Sequence, residues 1–146
     1  MAQERSGSAL VRKLGIRAGD RVAVLGAPEG FVAGLVLPQG VELVEATAGV
    51  GRSGERLDVL VWFGTTLAGL REIVKRAPEV LTPAGGLWIG WPKRASGIAT
   101  EVTADVVREV ALPTGLVDNK ICAIDDTWSG IRLVLRRELR PGRQAS

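Results

Sequence analysis

Two hydrophobic periods take turns along the chain. Leu10, Val11 and Leu14 form a helical stripe, with Ser8 as its N-cap and Gly15 as its stop. After the turn Ala18-Gly19-Asp20 comes a continuous apolar run, 21–26, the pattern of a strand covered on both faces. Gly26-Ala27-Pro28-Glu29-Gly30 leads into Phe31–Leu37, which predicts one or two helical turns ended by Pro38-Gln39-Gly40. Residues 41–45 (VELVE) read as a second strand. Residues 46–56 hold three glycines and no stripe, which predicts a loop.

The same reading continues to the carboxyl end. Residues 57–63 (LDVLVWF) are a buried strand, and Thr65 or Thr66 caps a helix that runs through Ala77 and breaks at Pro78. Glu72 and Arg76 stand four apart on that helix. After Thr82–Gly86, the run Leu87–Trp91 is a strand, followed by a polar loop, 92–97, and a helix near 103–112 with the stripe Val102, Val106, Val107 and Val110. Two strands, about 116–124 and 130–138, are joined by the polar link Asp125–Gly130, which suits a hairpin. Strands alternating with helices predict a single α/β domain, a Rossmann-like and mostly parallel sheet with a C-terminal antiparallel hairpin. Its expected bounds are 8–138, with a flexible start, 1–7, and a flexible basic tail, 139–146.

Composition then narrows the chemistry. The 146 residues include no His, no Tyr and one Cys, so a Ser/His/Asp triad, a Cys/His dyad and imidazole metal ligation are excluded, as are a disulfide within the chain and a cysteine zinc cluster. Cys122 lies within an apolar strand and reads as inert core. The formal net charge of +3 looks like a nucleic-acid signature until it is placed. Residues 136–146 carry four Arg and one Glu, so the whole excess lies in the tail and the fold itself is neutral, which argues against a nucleic-acid face. The opening residues lack the apolar stretch of a signal peptide and no run approaches the roughly 20 residues of a membrane helix, so a cytoplasmic location without membrane contact is expected.

The order of elements, with Leu81–Leu87 (LTPAGGL) and the closing hairpin, resembles a shortened class I S-adenosylmethionine-dependent methyltransferase. The segments LGAPEGF (25–31), WPKRASG (91–97) and AIDDTWSG (123–130) together resemble a bacterial domain-of-unknown-function family of about this size. The resemblance covers roughly residues 8–138. It implies a Gly-rich turn after the first strand that admits cofactor to the backbone, and an acid at the end of the second strand for the ribose hydroxyls. Gly26 and Gly30 match two glycines of that turn, Glu29 lies between them, and Glu45 matches the acid. The chain departs from the pattern at Val24, where an acid is usual, and at Pro28, in place of the middle glycine. A strand–helix unit that normally helps wall in the adenine is replaced by the loop 46–56, whose eleven residues reach at most about 36 Å. Dinucleotide and P-loop motifs fit less well: Pro28 and Phe31 occupy the glycine positions of the first, and no GK[ST] ending exists for the second.

In an open α/β sheet, ligands bind at the carboxyl ends of the strands. That edge is expected to collect the 26–30 turn, Glu45, 63–66, 91–96 and 125–129. Lys93 and Arg94, ahead of Ser96, suit a phosphate or carboxylate, or stand as solvated cations beside Asp125 and Asp126. Asp125 and Asp126 suit a general base or a hard cation, or simply shape a turn. No metal site is expected. Trp91 and Trp128 suit stacking on a flat ligand, or packing. Glu45 is a ribose ligand or a solvated strand end. Trp62, Trp88 and Phe31 carry no chemical signal of their own.

Three functions follow from this edge. The leading one is a small domain that holds a nucleotide-like or anionic ligand, S-adenosylmethionine by the resemblance, without strong catalysis. The second is an active small methyltransferase, since methyl transfer needs no His. The third is an interaction scaffold or homo-oligomer, because the missing unit would leave one sheet face uncovered.

Overall fold

The computed structural model describes residues 2–45 and 56–139, and the side chains of residues 2–6 and 45 lie outside that description. Residues 46–55 of the expected loop, 46–56, and residues 140–146 of the expected tail, 139–146, are likewise outside it. The elements run α1 (Ala2–Leu14), β1 (Arg21–Leu25), β2 (Glu42–Glu45), β3 (Leu57–Phe63), α2 (Leu67–Val80), β4 (Leu81–Pro92), α3 (Ala104–Ala111), β5 (Leu116–Ala123) and β6 (Trp128–Leu135), with 3-10 turns at Arg94–Ser96, Leu112–Thr114 and Arg137–Leu139. The six described strands form one sheet in the order β2-β1-β3-β4-β6-β5. Strands β2, β1, β3 and β4 pair in parallel, and β6 enters antiparallel between β4 and β5. This is the Rossmann-like sheet with an antiparallel end that the alternation of elements predicts.

Both faces of the sheet are covered, as the continuous apolar strands require. On one face Leu60, Leu87, Ile89 and Ile131 pack against Leu70, Ile73, Val74 and Ala77 of α2 and Val107 and Ala111 of α3. On the other, Val22, Val59, Val61, Phe63 and Trp88 pack against Val11 and Leu14 of α1. Trp88 is fully buried, and its indole N–H donates to Leu14 O at 3.0 Å, occupying a carbonyl at the end of α1 that has no partner within the helix.

Five expectations about local structure need correction. Helix α1 begins at Ala2, not at Ser8, so Ser8 lies inside it and residues 2–7 belong to the helix. There, Gly7 lies against the Gly34 carbonyl, too close for a side chain. Residues 31–37 form no helix; Phe31 N–H bonds to Pro28 O at 3.1 Å, Gly34 N–H to Gly30 O at 3.0 Å and Leu35 N–H to Val32 O at 3.1 Å, a chain of single turns. Gly30 at φ +83° takes the backbone out of the right-handed helical region just ahead of this segment.

Helix α2 does not break at Pro78 but continues to Val80. Proline in a helix interior costs about 3 kcal/mol, yet Ala77, Val80 and Leu81 are all buried here, and a buried Val or Leu side chain contributes about 1.5–3 kcal/mol. With its helix longer, β4 also starts earlier, at Leu81 instead of Leu87. Strand β6 is displaced toward the hairpin, running Trp128–Leu135 instead of 130–138, so Trp128, Ser129 and Gly130 of the expected link lie in the strand.

Candidate functional site at the carboxyl edge of the sheet

Strand register puts the unusual loops on one edge. Leu25 pairs with Trp62, Phe63 with Gly90, Pro92 with Trp128 and Ala123 with Ser129, so the turns that follow β1, β3, β4 and β5 rise on the same side. Glu45, at the end of β2, pairs with Val24 one residue before Leu25 and belongs to this edge by register.

The turn after β1 is built on a close approach. Gly26 has φ +69°, and a Cβ there would stand 2.6 Å from the Phe63 carbonyl oxygen. Only glycine combines the left-handed backbone with that contact. Gly30 has φ +83° but opens onto free space, with nothing within 4 Å of a built Cβ. Glu29 is exposed beside it. A cavity of about 430 Å³ opens from this turn toward α2, lined by Leu25, Gly26, Trp62, Gly69, Glu72, Ile73 and Arg76. Its size and its mostly apolar wall with a few charged groups are those of a small-molecule site.

Helix α2 reaches this edge with its N-terminus. Thr66 is the N-cap, accepting from Gly69 N–H at 3.1 Å. A second group, unnoticed in the sequence, joins it: a Glu101 carboxylate oxygen accepts from Leu67 N–H at 2.8 Å, while Glu101 N–H donates to Thr65 O at 2.8 Å. An acid at a helix N-terminus is favoured by the helix dipole. The signal was invisible in the chain because Glu101 lies 34 residues from its partner.

The loops after β4 and β5 meet each other. Lys93 N–H donates to Thr127 O at 2.7 Å. Ser96 Oγ donates to Lys93 O at 2.7 Å and accepts from Ile98 N–H at 3.1 Å, so the hydroxyl shapes its own loop. Asp125 Oδ1 accepts from Thr127 N–H at 2.8 Å and from Trp128 N–H at 2.7 Å. That carboxylate is engaged in the turn, as Asp residues in such links often are. Asp126 is exposed, and among the described residues neither Lys93 nor Arg94 forms an ion pair, so the expected pairing with Asp125 or Asp126 is absent.

The aromatic residues divide differently from the expectation. Trp91 is not a rim group: at 8% exposure it is part of the core beneath α2 and α3, because its position in β4 faces that layer. Trp128 is half-buried and packs edge-on against Phe63, with centroids 5.2 Å apart, while Phe31 meets Phe63 at 4.8 Å. These three rings bind the 26–31 turn, β3 and β6 together on the α1 face. Trp62, which had no evident role, is the tryptophan that lines the cavity. Among the described residues of the edge strand β2, Leu43 is an exposed large hydrophobic. No helix among the described residues is long and apolar enough to cross a membrane.

No protein-family model matches the chain, and no curated protein does. Solved structures do. The fibrillarin of Aeropyrum pernix, solved with natively bound S-adenosylmethionine, superposes with a TM-score of 0.59 at 15% identity, over 90% of this chain and 76% of that one. A TehB-like S-adenosylmethionine-dependent methyltransferase from Corynebacterium glutamicum gives 0.58 at 14% identity, over 90% and 88%. A release-factor-specific protein-glutamine methyltransferase from Alicyclobacillus acidocaldarius gives 0.55 at 16% identity, over 88% of each chain. At such identities the likeness is one of architecture. The chain has the Rossmann-like fold of the class I S-adenosylmethionine-dependent methyltransferases.

Proposed function

We propose that the carboxyl edge of the sheet holds a small nucleotide-like ligand of the S-adenosylmethionine kind, and that the domain binds this ligand without strong catalysis. The observation that carries the reading is the Gly26 turn, whose left-handed backbone lies against β3 and opens directly onto a cavity of about 430 Å³. Gly26, Glu29 and Gly30 would face the ligand, Glu45 at the end of β2 would hold its ribose hydroxyls, and Lys93 and Arg94 would meet a carboxylate or phosphate. The cofactor, when bound, would supply an electrophilic methyl group. What the chain itself contributes is position: an apolar wall from Leu25, Trp62 and Ile73, and the charged side chains of Glu72 and Arg76 beside it.

Binding is favoured over catalysis by the proton-transfer groups at hand. The chain has no His, and the Asp125 carboxylate already accepts two turn hydrogen bonds. The carboxylates that remain, Glu72 in the cavity wall and exposed Glu29 and Asp126, stand where general base catalysis most often uses an imidazole.

Thermal unfolding with S-adenosylmethionine, its demethylated product, ATP and inorganic phosphate tests the reading. A ligand held at 100 times its Kd stabilises by about 2.7 kcal/mol. Stabilisation by the first two compounds that is lost in Glu45→Ala is the expected result. A flat response to all four overturns the proposal, and transfer of a labelled methyl group to a cell extract overturns its non-catalytic half.

A further inference from the structure

A groove of about 510 Å³ runs between α2 and α3. Its floor is apolar: Leu67 of α2 and Val106 and Val110 of α3 are half-buried against the core that the two helices share, and exposed Pro113 adds to it. The α2 wall carries Arg71 and Lys75, and the α3 wall carries Glu109; all three are exposed.

The other polar groups of the groove are engaged. Glu101 accepts from Leu67 N–H at 2.8 Å, and Thr114 Oγ1 donates to Ala111 O at 2.6 Å. Among the described residues, the side chains of Arg71, Lys75 and Glu109 form no ion pair or hydrogen bond. Even Glu79, four residues beyond Lys75 at the spacing of a helical ion pair, makes none with it. Arg71 and Lys75 are themselves four apart, and like charges at that spacing weaken a helix. Helix α2 therefore keeps two neighbouring cations at a local cost that no described contact offsets.

The lining from Leu67 to Lys75 spans eight residues of α2, about 12 Å or two helical turns. A helix laid along such a groove seats its apolar stripe between α2 and α3 and turns one flank to each wall. Charge decides which helix fits. Carboxylates one turn apart on one flank meet Arg71 and Lys75, and a cation on the other flank meets Glu109. A nucleic-acid backbone is a poorer match, because Glu109 repels phosphate and the apolar floor offers it nothing. The chain's own end, 136–146, is also a poorer match, since its four Arg against one Glu give it the charge of the α2 wall.

We propose that the α2–α3 groove docks an amphipathic helix of another protein, with two acids one turn apart against Arg71 and Lys75 and an apolar stripe on Leu67, Val106 and Val110.

Fluorescence anisotropy on the full chain, with labelled helical peptides of about 15 residues, tests it. Two peptides share one apolar stripe; the first has Glu residues four apart on one flank and Lys on the other, and its twin has these charges exchanged to Lys on both flanks. The acidic-flanked peptide binds the native protein about tenfold or more tightly than the twin, and the gap narrows with added salt. Arg71→Glu/Lys75→Glu inverts that order, and Arg71→Gln/Lys75→Gln brings the two peptides to near-equal affinity, with thermal unfolding as the check that each variant folds. A third peptide, acidic-flanked but with Ser in place of its apolar stripe, does not bind. Absence of binding by the acidic-flanked peptide, or a preference for it that survives both double variants, overturns the proposal. Binding of the Ser-striped peptide removes the apolar floor and overturns it too. Displacement of the bound peptide by a single-stranded oligonucleotide assigns the groove to nucleic acid instead, and a dimer in light scattering that Arg71→Glu/Lys75→Glu dissociates assigns it to a second copy.

Discussion

Replacing Gly26 by alanine separates two effects that glycine combines. The first is conformational. Gly26 sits at φ +69°, and a left-handed residue with a Cβ costs about 1–2 kcal/mol. The second is contact: the new methyl would stand 2.6 Å from the Phe63 carbonyl oxygen, a backbone atom of the central strand β3 that cannot rotate away. Forcing atoms into a packed site costs typically about 1–3 kcal/mol more. Gly30→Ala supplies the control, because Gly30 shares the left-handed backbone at φ +83° but has nothing within 4 Å of its built Cβ. Gly30→Ala is therefore expected to cost about 1–2 kcal/mol and Gly26→Ala about 2–5 kcal/mol. For a chain of this size each kcal/mol lowers Tm by about 4 °C, so the two variants should differ by roughly 8 °C in thermal unfolding followed by circular dichroism. Equal melting temperatures would refute the argument that the turn is pinned against β3. A larger loss in Gly30→Ala would refute it as well.

Trp88→Phe removes the donor to Leu14 O and leaves a buried carbonyl unpaired, so urea unfolding should show a loss of about 2–3 kcal/mol with little change in m. Asp125→Ala deletes the acceptor for two turn N–H groups and should cost about 1–2 kcal/mol, whereas Asp125→Asn retains an oxygen and should be nearly neutral by the same measurement. Thr103→Ala removes the α3 N-cap bond to Val106 N–H and should cost about 1 kcal/mol, seen as a lower Tm. Gly130→Ala would bring a methyl within 2.8 Å of the buried Ile124 side chain at the hairpin, and a melting temperature equal to that of the native protein would contradict the packing described for that corner.

Much of the architecture was legible because strand and helix periods are local properties. The buried strand 57–63 was visible as an apolar run, the start of α2 as Thr65 or Thr66 ahead of an apolar stripe, and α3 as the stripe itself. Pro78 misled because its cost is local while the compensating burial of Val80 and Leu81 is contributed by the sheet. The 31–37 segment misled in the opposite way: its apolar residues suggested helical turns, but after the left-handed Gly30 the backbone makes only single turns.

The candidate site was legible in part. The sequence located the edge, the Gly26–Gly30 turn and the absence of imidazole, since these depend on residue type and on the order of elements. It could not distinguish one tryptophan from another. Trp62 and Trp91 both occupy strands in apolar surroundings, and their fates depend on what packs above each position. Helices α2 and α3 bury Trp91, while Trp62, with Gly64 and Gly69 leaving room beside its ring, lines a cavity. Nor could it reveal Glu101 at the start of α2, a contact made across 34 residues. Residue chemistry and periodicity belong to the chain; exposure and long-range hydrogen bonding are set by neighbours that only folding brings together.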